Sequence, residues 1–180
     1  PTISKKITYK ELLENVSKSA NALKKIGIKK GDRVTIYLTM IPELAYLMLA
    51  CARIGAIHSV VFGGFASSEL ASRIDDSKAK ILLTASCGFE PGRTVKYKPL
   101  VDEALKLASH KIEKLILFQR PNNEVKLNTP KEISWEEALS NAKNVDCVEM
   151  KSNEFAYILY TSGTTGLPKG IVRDIGGHIA

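Results

Sequence analysis

The chain has 180 residues, of which 44% are hydrophobic and 25% charged, a balance typical of a soluble globular protein with one sizeable core. No apolar run is long enough to span a membrane, since the longest covers only residues 44–52. Most of the net charge of +7 comes from the first thirty residues, where eight lysines stand against Glu11 and Glu14. These lysines lie mostly on one predicted helix and the turn after it, which favours a solvated face over a nucleic-acid-binding surface.

Cysteine usage indicates a reducing compartment. Cys51, Cys87 and Cys147 are far apart, odd in number and without a metal-ligand spacing. They are typical of free thiols. We therefore expect a cytoplasmic protein, or one of the mitochondrial matrix if the source is eukaryotic, and no metal site in these 180 residues.

Apolar periodicity and turn residues predict helices that alternate with strands. Thr8 and Glu11 form a capping box for the first helix, Pro42 opens the second, and Ser67 or Ser68 is predicted to cap the third. The predicted helices cover residues 8–27, 42–54, 67–76, 99–109 and 134–142. The predicted strands cover residues 33–38, 58–62, 80–84, 115–118 and 155–160.

This alternation predicts an α/β fold with a mostly parallel, doubly wound sheet and flanking helices. Ligands bind such sheets where strands end in loops, at the carboxyl edge. Three glycine-bearing loops follow predicted strands, at residues 63–64, 88–93 and 163–170. We expect them to face one cleft. Residues 120–132 are predicted to form a loop or a ragged hairpin.

The stretch at residues 160–170, Tyr-Thr-Ser-Gly-Thr-Thr-Gly-Leu-Pro-Lys-Gly, has the composition of a polyphosphate-binding loop. Glycines let the backbone approach an anion, hydroxyls and main-chain N–H groups donate hydrogen bonds, and a lysine adds positive charge. The spacing differs from a Walker A loop, in which Gly-Lys-Ser/Thr is contiguous and opens a helix. A second short strand at residues 171–173 predicts that the loop joins two strands, with Lys169 on the far arm.

This stretch resembles the signature of the adenylate-forming enzymes, which include acyl-CoA synthetases, luciferases and the adenylation domains of peptide synthetases. Residues 56–65 and Arg73-Ile74 are similar to the acetyl-CoA and propionyl-CoA synthetase branch, and residues 173–178 resemble its propionate-type members. The resemblance covers nearly the whole chain. It implies that residues 1–180 form part of the large N-terminal AMP-binding domain of such an enzyme.

The resemblance implies a two-step reaction that uses ATP, Mg²⁺ and CoA as well as a short-chain carboxylate such as acetate or propionate. The carboxylate forms an acyl-adenylate with release of pyrophosphate, and the CoA thiol then displaces AMP. Lys169 is the implied catalytic residue because it would neutralise charge on the leaving pyrophosphate. The implied phosphate-binding residues are Thr161, Ser162, Gly163, Thr164, Thr165, Gly166 and Lys169.

Two further loops are implied to contact CoA. One consists of Glu90, Pro91, Gly92 and Arg93, and the other of Gly63 and Gly64. The family commonly has Arg-x-Gly-Arg at the first loop, whereas this chain has Glu90 where the first arginine often stands. A carboxylate does not bind a phosphate directly, so a single cationic contact from Arg93, or contacts to CoA hydroxyls and amides, are the expected alternatives. A surface role for Arg93 and a simple strand-ending turn at Gly63 remain open.

The family's adenine site, carboxylate pocket, magnesium-binding acid, hinge aspartate and C-terminal catalytic lysine all lie downstream of its signature loop. We therefore expect the 180 residues to be an N-terminal part that is inactive by itself. A non-catalytic nucleotide- or CoA-binding module and a P-loop NTPase are the alternatives. His58 lies in a predicted strand among apolar neighbours, which favours a structural role over that of a general base. Small-molecule substrates are the expected partners, with no nucleic acid or membrane; the oligomeric state is left open.

Overall fold

A seven-stranded sheet forms the centre of the chain in a computed structural model that describes residues 5–161 and 168–179. In chain order the strands are β1 (Arg33–Leu38), β2 (Ile57–Phe62), β3 (Ile81–Ala85), β4 (Cys87–Glu90), β5 (Arg93–Lys96), β6 (Lys114–Phe118), β7 (Glu132–Ser134), β8 (Phe155–Thr161) and β9 (Lys169–Asp174). The helices are α1 (Tyr9–Lys25), α2 (Pro42–Ile54), α3 (Ser67–Ser77), α4 (Tyr97–Leu107), α5 (Trp135–Leu139) and α6 (Ile175–Ile179).

The strand order confirms the predicted doubly wound sheet. Across the sheet it is β7-β6-β3-β1-β2-β8-β9, and the pairings are parallel except for the antiparallel pair of β8 and β9. β4 and β5 form a separate antiparallel hairpin. Because β1 lies between β3 and β2, the chain reverses direction across the sheet after β2. Such a reversal is where ligands bind in open α/β sheets.

Helices cover both faces of this sheet. α2 leads from β1 to β2, and α3 leads from β2 back past β1 to β3. Crossovers between parallel strands are right-handed as a rule, and this rule sends two connections that run in opposite directions across a sheet to opposite faces. α1 packs on α2, and α4 packs on α3. Among the described residues, no helix has the length and apolarity that crossing a bilayer requires.

Local signals in the sequence set the first two helices. The backbone N–H of Glu11 donates to Thr8 Oγ1 at 3.2 Å, and the backbone N–H of Thr8 donates to Glu11 Oε2 at 2.7 Å, which confirms the capping box. Pro42 is the first residue of α2, where its missing N–H costs nothing. Gly55 ends α2 in the left-handed conformation, with φ 69°.

The prediction of a loop at residues 88–93 was wrong, because this segment is mostly the hairpin of β4 and β5. Pro91 and Gly92 form its turn, Gly92 has φ 76°, and Glu90 pairs directly with Arg93. Proline followed by a glycine at positive φ suits the central positions of a type II turn. The short strands escaped prediction because neither has the alternating apolar pattern of a core strand.

Several smaller boundaries also differ from prediction. α3 has Ala66 at its N-cap, and Ser67 is instead a buried helical residue whose hydroxyl donates to Glu103 Oε2 at 2.8 Å. α5 ends at Leu139, since Asn141 takes a positive φ of 56° soon after. β7 lies at the end of the predicted loop over residues 120–132, and its three residues are too few to show a period.

His58 is buried in β2, and within the described part of the chain its Nδ1 has no hydrogen-bond partner. Its ring lies against the Tyr157 ring, with 5.4 Å between the centroids. Burial, with a smaller contribution from nearby His178, lowers the pKa of His58 to about 4. A neutral imidazole held in this way fits the structural role that the sequence favoured.

His58→Gln is expected to reduce the loss of unfolding free energy that occurs as the pH falls. The pKa of His58 is about 4 in the folded chain and 6.5 ordinarily, so the unfolded chain binds the proton first as pH falls. Stability is then lost between pH 6.5 and 4, by roughly 3 kcal/mol from this group. Urea unfolding at several pH values measures the free energy of unfolding of the parent protein and the variant. An equal slope in both proteins across this window would contradict the assignment.

Candidate active site

Three features of interest lie at the carboxyl ends of parallel strands. Gly63 and Gly64 follow β2, the β4–β5 hairpin follows β3, and Thr161 is the last residue of β8. The first two contact each other closely: Glu90 Oε1 lies 3.5 Å from where a Cβ on Gly64 would be. These two segments are therefore neighbours, as the prediction of a shared cleft requires.

The turn at Gly63 and Gly64 is built on the end of β1. The backbone N–H of Gly63 donates to the carbonyl of Leu38 at 3.2 Å, and that of Gly64 donates to Tyr37 Oη at 3.1 Å. A Cβ on Gly63 would overlap the hydroxyl of Tyr97 and lie 2.8 Å from the Leu38 carbonyl oxygen. Gly64 has φ 105°, which an L side chain rarely adopts. Both positions therefore require glycine in this arrangement.

Tyr97 joins this turn to the hairpin. A Cβ on Gly88 would also overlap the Tyr97 hydroxyl, so the ring fits between the two glycines. The Tyr97 ring contacts that of Tyr37, with 5.2 Å between the centroids. Burial raises the pKa of both phenols, which keeps them neutral near neutral pH. Sequence reasoning did not select these tyrosines, because neither stands in a recognisable motif.

The hairpin places Glu90 and Arg93 side by side. Arg93 Nε and Nη2 both lie 2.7 Å from Glu90 Oε2, and the Arg93 side chain is 72% exposed. Glu90, which stands where the resemblance implies an arginine, therefore pairs with the one arginine of this turn. Such an exposed ion pair contributes little stability, so Arg93 can readily exchange Glu90 for another anion.

Arg120 is a second cation at this hairpin, and the sequence analysis did not select it. Its guanidinium lies 5.2 Å from the centre of the Phe89 ring, and its backbone N–H donates to Ser86 Oγ at 2.9 Å. Its buried Nε has no partner among the described contacts. Its position could have indicated a role at the site, because Arg120 lies two residues after β6, at the same sheet edge as the other loops.

The signature stretch lies at the end of the β8–β9 hairpin. Thr161 is the last residue of β8, Lys169 is the first of β9, and the two are direct cross-strand partners. This confirms the prediction that the loop joins two strands and puts the lysine on the far arm. It also disagrees with a P-loop, since a strand rather than a helix follows the lysine. The remaining predicted phosphate-binding residues, Ser162, Gly163, Thr164, Thr165 and Gly166, lie outside the described residues.

Tyr160 anchors this hairpin to α3. Its hydroxyl donates to Asp76 Oδ2 at 2.6 Å, and burial together with this bond raises the pKa of the phenol. The neighbouring Asp75 accepts from the backbone N–H groups of Ser109 and His110 at 3.1 and 2.6 Å. Both carboxylates are thus occupied by protein donors. Over residues 5–161 and 168–179, no cluster of three His, Cys, Asp or Glu side chains could hold a metal ion.

Comparison with known proteins connects this sequence to one family. A model of the family described as AMP-binding enzyme matches residues 2–180. The chain is 59% identical over 172 residues to the human protein named acyl-CoA synthetase short-chain family member 3, mitochondrial, a match that covers 95% of this chain and 25% of that protein. It is 48% identical over 181 residues to acetyl-coenzyme A synthetase of Methylocella silvestris, covering 99% and 28%. It is 47% identical over 182 residues to acetyl-coenzyme A synthetase of Yersinia pseudotuberculosis, also covering 99% and 28%. The chain therefore spans about a quarter of the length of these curated relatives.

Proposed function

We propose that this chain, which belongs to the AMP-binding enzyme family, forms part of the N-terminal domain of an AMP-forming short-chain acyl-CoA synthetase. The observation that carries the proposal is the β8–β9 hairpin, which holds the signature stretch between two paired strands at the carboxyl edge of the sheet. The relatives named as acetyl-coenzyme A and short-chain acyl-CoA synthetases support the same chemistry. The whole protein would act on small molecules: ATP, CoA and a short carboxylate.

The proposed reaction has two steps. A carboxylate oxygen attacks the α-phosphorus of ATP, which forms an acyl-adenylate and releases pyrophosphate. The sulfur of CoA then attacks the acyl carbonyl, the bond to AMP breaks, and the thiol proton is lost to solvent or base. Positioning and charge neutralisation carry most of the catalysis, because the protein itself forms no covalent bond.

Lys169 and Thr161 are proposed to flank the ATP phosphates. Their direct pairing sets their Cβ atoms about 5 Å apart, at the point where the hairpin opens into the signature loop. The Lys169 residue is exposed, as a cation that meets a soluble ligand must be. Ser162, Gly163, Thr164, Thr165 and Gly166 are proposed to complete the phosphate site.

CoA is proposed to bind along Gly63, Gly64 and the hairpin residues Glu90, Pro91, Gly92 and Arg93. The contact between Gly64 and Glu90 supports one continuous surface. Arg93 would leave Glu90 to contact a CoA phosphate, since an exposed ion pair costs little to exchange.

ATP is expected to bind together with Mg²⁺ in this family, but the described residues do not form a carboxylate cluster that would hold the ion. The resemblance of residues 173–178 favours propionate over acetate as the acid. A reducing compartment, the cytoplasm or mitochondrial matrix, is proposed for the protein because all three cysteines are free.

Carboxylate-dependent ATP–pyrophosphate exchange tests this function. The assay compares acetate, propionate and butyrate on the protein from the complete reading frame, beside residues 1–180 alone. Exchange by the longer protein only, fastest with propionate, is the expected result. Absence of exchange with every acid in the longer protein would contradict the proposal.

Lys169→Ala is expected to slow adenylation by roughly tenfold to a thousandfold, because it removes one charge-stabilising donor from the leaving pyrophosphate. Lys169→Arg should retain more of the rate, since it keeps the positive charge. Lys151→Ala, at an exposed lysine before β8, is the control for general loss of charge. An unchanged exchange rate in Lys169→Ala would remove this lysine from the mechanism.

Arg93→Met is expected to raise the KM for CoA roughly tenfold, whereas Glu90→Gln should lower it because Arg93 loses its competing partner. Lys96→Met, on the opposite face of the same strand, is the matched control. Initial rates of thioester formation at varied CoA measure all three. Equal KM values for Arg93→Met and the parent protein would refute the CoA contact.

A further inference from the structure

Arg73 of α3 is a buried cation whose position is closely defined. Its side chain is 8% exposed. Nη1 donates to the carbonyl oxygen and to Oε2 of Glu69, both at 2.7 Å. These two bonds hold the guanidinium group one helical turn from its partner and restrict where its plane lies.

Two aromatic rings from different parts of the chain contact this guanidinium. Its central carbon lies 5.2 Å from the centre of the Phe65 ring and 5.3 Å from that of Tyr160. Both distances fall within the roughly 6 Å over which a cation is attracted to the face of an aromatic ring. Because the site is largely shielded from water, this attraction is stronger than at an exposed position.

Each ring stands at the border of a loop that the proposed function uses. Phe65 follows Gly63 and Gly64 directly, and its carbonyl accepts a hydrogen bond from Tyr37 Oη at 2.9 Å. Tyr160 precedes Thr161 directly, and its hydroxyl bonds Asp76 on the same helix as Arg73. One helix therefore touches the border of the CoA loop and the border of the ATP loop.

We infer that Arg73 is a positioning residue that couples the turn at Gly63 and Gly64 to the signature hairpin. The inference rests on the proposed function, because it concerns how the ATP and CoA loops of one enzyme are held together. Among the aromatic and cation–π contacts of the described residues, Phe65 contacts Phe62 and Arg73, and Tyr160 contacts Arg73, so the guanidinium links the two rings directly. A planar guanidinium suits this double contact better than a lysine ammonium group.

A double-mutant cycle on the full-length protein tests the coupling. Phe65→Leu and Tyr160→Leu are made singly and together, in the parent and in an Arg73→Met background. The readouts are carboxylate-dependent ATP–pyrophosphate exchange and the KM for CoA in thioester formation. Arg73→Met alone should lower exchange and raise that KM, each by about tenfold, which corresponds to ~1.4 kcal/mol.

With Arg73 present, Phe65→Leu should slow ATP–pyrophosphate exchange, although Phe65 borders the proposed CoA loop rather than the ATP loop. The double variant should depart from the product of the single effects by about threefold or more. In the Arg73→Met background, the effect of the double variant should equal the product of the two single effects. Multiplicative effects with Arg73 present, or a coupling that survives Arg73→Met, would overturn the inference.

Two controls separate this role from a general structural one. Tyr160→Phe keeps the ring but loses the bond to Asp76, and the coupling to Phe65 should persist. Arg53→Met removes a guanidinium whose Nε donates to the Val145 carbonyl at 2.6 Å, and the coupling should again persist. Loss of coupling in either variant would argue against a specific link through Arg73.

Failure of the proposed function is recognised separately. If the parent protein shows no exchange with any acid, the synthetase assignment fails. The same cycle, measured as the equilibrium constant of urea unfolding, then decides the inference: threefold non-additivity that disappears in Arg73→Met supports the link, and additivity refutes it.

Discussion

The parallel pairing of β1 with β2 on one side and β3 on the other determines where the loops of this chain meet. Val34 pairs with His58 and with Ile81, so the carboxyl ends of all three strands reach the same edge. The hydrogen bonds continue beyond the strands: the N–H of Gly63 donates to the Leu38 carbonyl, and that of Ser86 to the Phe118 carbonyl. The turn after β2 and the hairpin after β3 are thereby extensions of the sheet, which explains their close contact.

The β8–β9 hairpin is attached differently. Within the described residues, β8 pairs with β2 through Tyr157 and Ile158 only, whereas its pairing with β9 extends from Phe155 to Thr161. On the side away from β9, the end of β8 is held to α3 by the contacts of Tyr160 with Asp76 and Arg73.

Much of the fold followed from local patterns. Caps and turn glycines located α1 and α2, and the β-branched run at residues 33–38 predicted β1 with its observed ends. The β4–β5 hairpin and β7 were missed because short strands are stabilised by tertiary pairing rather than by a pattern of their own. The identity of the signature stretch and its two-strand setting could be predicted. The contacts of Tyr97 with Gly63, of Arg120 with Phe89 and of Arg73 with Tyr160 could not, because these partners are distant in sequence and only the folded chain brings them together.

A crystal structure of the full-length protein with ATP tests the central claim most directly. The account predicts that the β- and γ-phosphates lie in the signature loop, with Lys169 Nζ and Thr161 Oγ1 within about 3.2 Å of phosphate oxygens. Triphosphate density elsewhere on the sheet edge, with Lys169 turned away from it, would contradict the account.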